Sequence, residues 1–74
     1  MEYNDAEKLL KEKGWEVWKH IDEDTLVNGL EVPVSPILVD EKRQEIQQIL
    51  PEFAVKVGKG KQYVLIKKKY NEEE

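Results

Sequence analysis

Residues 53–70 read FAVKVGKGKQYVLIKKKY. Two apolar-rich runs, 53–58 and 61–69, flank Lys59-Gly60, and the arrangement predicts a β-hairpin with its turn at that pair. This register sets Val57 opposite Gln62, Val55 opposite Val64 and Phe53 opposite Ile66. Directly opposed residues share a face. Phe53, Val55, Val57, Val64 and Ile66 therefore make one apolar face. Ala54, Lys56, Tyr63, Leu65, Lys67 and Lys69 take the other. The pattern supports the register that produces it, because a slip of one residue would turn the apolar set outward.

An apolar hairpin face needs helices to cover it, and the sequence supplies two. Residues 40–50, DEKRQEIQQIL, read as a helix capped by Asp40, with Val39, Ile46, Ile49 and Leu50 as a narrow apolar stripe. Ser35-Pro36 offers an earlier start, and Pro51 stops the helix. Residues 5–13 read as a second helix, with Asn4 as cap and Glu7 three residues on, as in a capping box. Gly14 suits the left-handed residue that ends a helix, and Trp15 is expected to fold back onto Leu10.

The middle of the chain is less regular. WEVWKHI, residues 15–21, predicts a strand with Trp15, Val17 and Ile21 on one face and Trp18 and His20 on the other. Residues 22–38 are expected to be a short hairpin or extended segment. Asn28-Gly29 is a signal for a two-residue turn, or for the end of a short helix starting at Asp22 or Asp24. Pro33 and Pro36 interrupt any regular strand. The whole reads as a small two-layer α+β domain over residues 1–70, with two helices packed on an antiparallel sheet. The four residues 71–74 are expected to form a mobile acidic tail. A helical 22–30 segment would instead give the element order of a winged helix, with 59–61 as the wing tip.

Composition narrows the class. The chain has 74 residues, 39% hydrophobic and 38% charged, which fits one folded domain with a small core. A chain this short has little room for a deep closed cleft. It has no cysteine, which excludes disulfides, thiolate metal sites and a cysteine nucleophile. The start, MEYNDAEKLLKEKG, does not read as a signal peptide, and no apolar run spans a membrane. A cytoplasmic location is the expectation.

Catalytic chemistry finds few residues. His20 is the single histidine, and Ser35 is a possible nucleophile without a partner pattern. Asp22, Glu23 and Asp24 lack the spacing and the glycine of a calcium loop, so they read as a solvated acidic turn. Lys59-Gly60-Lys61 is followed by a strand, not by the helix start that holds phosphate. The expectation is a non-enzyme with no cofactor and no metal.

Charge is where the sequence points to a function. The net charge is −4, yet residues 41–74 carry six acids and eight bases. Lys56, Lys59, Lys61, Lys67 and Lys69, with Tyr63 among them, combine phosphate-binding cations with a ring that stacks on an unpaired base. No arginine lies in the hairpin, so bidentate base reading is excluded and binding is expected to be weak and sequence-tolerant. DNA or RNA is thus the expected partner. The alternative is a protein partner, as for a small regulator or inhibitor. Such a partner would use the acidic face, an exposed Trp18 or pairing along the last strand's edge. A third reading makes the lysines solubility devices on a sheet edge.

Overall fold

A computed structural model describes residues 1–21 and 27–69, with only the backbone of Ile21 and Val27. The expected acidic turn at Asp22 to Asp24, Tyr70, the 71–74 tail and the inward face of Ile21 lie outside the described residues. The elements follow as α1 (Tyr3–Glu12), β1 (Trp18–Ile21), β2 (Val27–Pro33), α2 (Val39–Ile49), β3 (Phe53–Val57) and β4 (Tyr63–Lys68). All four strands form one antiparallel sheet in the order β1-β2-β4-β3. Two hairpins thus meet through β2 and β4, and α2 makes the connection between them. Helix α1 packs against β2, and α2 against β3 and β4.

The C-terminal hairpin keeps its expected faces but not its expected register. Phe53 faces Lys68, Val55 faces Ile66 and Val57 faces Val64, two residues away from the pairing read from the sequence. The cause is the turn. Instead of two residues at Lys59-Gly60, the connection runs through Gly58 to Gln62, with a single 3-10 turn at Lys59–Lys61. It closes on the hydrogen bond from Gly58 N–H to Tyr63 C=O, 2.8 Å. Gly60 and Lys61 both take positive φ, 86° and 60°. A shift of two conserves the face of every side chain, because side chains alternate with period two.

Residues 27–33 are a strand, which overturns both the Asn28-Gly29 turn and the winged-helix alternative. His20 pairs with Gly29 and Ile21 with Val27, so Asn28 is an extra residue, a bulge in β2. Leu30 and Val32 alternate into the core, completely buried or nearly so, while Glu31 points outward. Pro33 ends the strand, as its missing N–H demands. The first strand is shorter than expected and starts at Trp18.

Both helix starts differ from the sequence reading. In α1 the cap is Glu2, and Asp5 Oδ2 accepts the Glu2 N–H at 3.0 Å, a capping box two residues earlier than Asn4 and Glu7. The cap of α2 is Leu38, and Asp40 lies in the first turn. The end of α1 forms as expected. Gly14 takes φ 94°, its N–H reaches Lys11 C=O, and Trp15 N–H reaches Leu10 C=O, each at 3.0 Å. That pair of bonds is the Schellman motif, and it turns Trp15 back against the core.

The core lies between the helices and one side of the sheet. Ala6, Leu10, Leu30, Val32, Ile46, Leu50, Phe53, Val64 and Ile66 are its most buried members. Tyr3 ties the layers together at one end. Its ring lies 5.7 Å from that of Phe53, its hydroxyl accepts the Lys68 N–H at 2.9 Å, and it donates to Asn28 C=O at 3.4 Å. Among the described residues no helix is long and apolar enough to cross a membrane.

Candidate nucleic-acid interface

Alternation along each strand defines a second sheet face, opposite the helices. On β1 it carries Trp18 and His20. On β2 it carries Gly29, Glu31 and Pro33, on β4 Tyr63, Leu65 and Lys67, and on β3 Ala54 and Lys56. The pairings arrange these in rows. Trp18, Glu31, Leu65 and Lys56 cross the sheet in one row; beside it His20 pairs with Gly29 and Lys67 with Ala54, the Lys67 side chain lying next to Gly29. Both α-helices cover the other face. Trp18 is 56% exposed, Lys56 and Lys67 are exposed, and Tyr63, Leu65 and Ala54 are half-buried.

Of the expected contact residues, the structure brings Lys56, Tyr63 and Lys67 onto this one face. Lys67 extends its aliphatic stem over Gly29, whose Cβ, if it had one, would stand 3.6 Å from both Cγ and Cε. The Tyr63 ring occupies the space that a side chain on Gly58 would need, within 2.3–2.5 Å of that Cβ. Only glycine at 58 lets the ring lie where it does. Lys59 and Lys61 are exposed in the loop at the same end of the sheet as Tyr63. Lys69 is turned elsewhere: its ammonium donates to Pro51 C=O at 3.1 Å, at the connection before β3. Lys68 lies on the helix side, where its ammonium pairs with Glu2 and sits 5.5 Å from the Tyr3 ring centre.

Trp18 is exposed, not covered by a helix, and its indole N–H donates to the Glu16 carboxylate at 2.9 Å. His20 Nδ1 stands 3.1 Å from Glu31 Oε2. Ser35 lies beyond Pro33, at the opposite end of β2 from the position paired with His20.

The sheet edges also differ from expectation. The last strand lies between β2 and β3, so it offers no edge to a partner. The edges are β1 and β3, and α2 caps the outward groups of β3. Gln47 donates to Phe53 C=O at 2.8 Å and to Leu50 C=O at 3.0 Å, and it accepts Val55 N–H at 3.4 Å. Arg43 donates to Val55 C=O at 3.2 Å.

The sequence reading missed Glu31, Pro33 and Gln62 as neighbours of Trp18 and Tyr63. Trp18, Glu31, Pro33, Gln62 and Tyr63 line a hollow of about 270 Å³. The signal was present in the alternation of Leu30, Glu31 and Val32, but the Asn-Gly pair competed with it. Compared with protein-family models, with curated proteins and with solved structures, the chain matches none. The fold and the face define an α+β domain with one sheet surface left uncovered by its helices.

Proposed function

We propose that this protein is a non-catalytic module that binds nucleic acid weakly and with little sequence preference, through the uncovered sheet face and the basic loop of its C-terminal hairpin. One observation carries the reading: exposed or half-buried Trp18, Tyr63 and Leu65 share that face with Lys56 and Lys67, and Lys59 and Lys61 flank it. Rings offer stacking surfaces for unpaired bases, and lysines beside them neutralise phosphates. Single strands are the preferred form, because only an unstacked base can lie on Tyr63 or Trp18.

A salt titration tests it. If about three phosphates are neutralised, log K for a mixed-sequence single strand should fall against log salt with a slope of roughly −2. Lys56→Glu with Lys67→Glu should flatten that slope, and Lys8→Glu on α1 should leave it unchanged. Tyr63→Ala should weaken single-strand binding more than duplex binding. Absence of binding to any oligonucleotide at about 50 mM salt would sink the proposal. A protein partner would then lead, favoured by the 56% exposure of Trp18 beside the Glu16 and Glu31 carboxylates.

A further inference from the structure

The hollow between the two rings has an unusual member for a nucleic-acid surface. Its lining is Trp18, Glu31, Pro33, Gln62 and Tyr63, so an acidic residue sits among the rings. Glu31 stands directly across from Trp18 on β1 and Leu65 on β4, so the strand ladder fixes its position. On one side His20 Nδ1 holds Oε2 at 3.1 Å. A carboxylate has about four acceptor sites, so this contact leaves room for further donors.

We infer that this hollow is a base subsite, and that Glu31 makes it choose bases with an exocyclic amino group, cytosine over thymine or uracil. The inference rests on the nucleic-acid reading and adds a preference at one position of an otherwise tolerant surface. An ionised carboxylate only accepts hydrogen bonds. Cytosine presents its N4 amino group as a donor where thymine presents the O4 acceptor. The first satisfies Glu31, and the second sets two acceptors against each other with water driven out between the rings. Unmet polar groups in a site cost more than a matched pair gains, which is why such sites reject the wrong partner strongly. The Gln62 amide both donates and accepts, so it tolerates either pyrimidine. Glu31 also repels phosphate, which directs the strand's backbone toward Lys56 and Lys61 and the base edge toward the hollow. Those same lysines disfavour a basic peptide on this face, which selects the base over a cationic side chain as the occupant.

The test compares short oligodeoxycytidine and oligodeoxythymidine of equal length, at neutral pH and one salt concentration, by fluorescence anisotropy. Two pyrimidines of one ring size isolate the amino group from stacking. The wild-type protein should bind the cytidine strand about three- to tenfold tighter. Glu31→Gln, whose amide serves either base, should bring the ratio to about one. Glu31→Asp, which keeps the charge but draws it back from the hollow, should lower the ratio part of the way. Equal binding of both strands by the wild type overturns the inference and leaves the nucleic-acid reading standing. A cytidine preference that survives in Glu31→Gln overturns the role of Glu31. No binding of either strand overturns both readings. Capture of an arginine-rich peptide instead, lost in Glu31→Gln, would give the hollow to a protein's cationic side chain.

Discussion

At the scale of single residues, the hairpin loop separates stability from binding. Lys61 holds φ at 60°, a region that costs an L-residue with a long side chain about 1–2 kcal/mol. Glycine takes that conformation freely but loses more chain entropy on folding. Lys61→Gly should therefore raise stability, by about 1 kcal/mol or less once the two effects are set against each other. The same change removes a cation from the proposed interface, so single-strand affinity should fall and the salt slope should lose about 0.7. Urea unfolding and a salt titration on one preparation read both quantities. A drop in stability would mean that the Lys61 side chain does more for the loop than its backbone strain takes away. The opposite logic holds at Gly58, where φ is an ordinary −75° and what matters is space. There the missing side chain is the seat of the Tyr63 ring.

At the scale of elements, what was legible in the sequence is what period two controls. The apolar set of the C-terminal hairpin, the outward placement of Lys56, Tyr63 and Lys67, and the opposition of Trp18 and His20 to the core all follow from alternation alone. Register and strand order do not follow from it. They depend on loop length and on the pairing of β2 with β4, residues 30 to 36 positions apart in the chain, and no local pattern encodes that contact. Asn28-Gly29 misled for the same reason. Its turn chemistry is real, but long-range pairing drew the two residues into β2 as a bulge. The position of Glu31, and with it the hollow, was hidden behind that one assignment. The capping of β3 by Gln47 was equally invisible, since glutamine on a helix surface carries no signal of what it meets. Gln47→Ala should remove three hydrogen bonds to backbone at Leu50, Phe53 and Val55. A loss of about 1–3 kcal/mol is expected, because water replaces those partners only in part. The uncovered edge of β3 should also promote concentration-dependent self-association, visible by sedimentation. Unchanged unfolding together with a monomeric variant would show that the edge does not depend on Gln47.

At the scale of the whole molecule, acidity governs both attachment of α1 and the reach of the basic face. Two carboxylates tie α1 to the sheet. Glu7 accepts from Lys11 at 2.9 Å and stands 3.7 Å from Lys19 on β1, and Glu2 pairs with Lys68 on β4. The hydrogen bond from Lys11, reinforced by the Lys11 and Lys19 charges, holds the Glu7 carboxyl below the ordinary glutamate value. The bond and charge of Lys68 do the same for Glu2. A carboxyl whose folded value is depressed contributes stability that is present above its unfolded value, about 4.3, and is lost as pH falls through the folded value. The fold should therefore be intact at pH 5, and α1 should begin to loosen only below about 4. Over the range from pH 7 to 5 a different quantity changes. The net charge rises from −4 to near zero at a pI of about 5.0, which removes long-range repulsion of a polyanion. Single-strand affinity should then climb several-fold between pH 7 and pH 5 at about 50 mM salt, while circular dichroism stays constant. The gain should shrink at about 200 mM salt, where charges beyond roughly 7 Å are screened. Flat affinity across that range, with the fold unchanged, would mean that the net charge of the molecule does not limit binding.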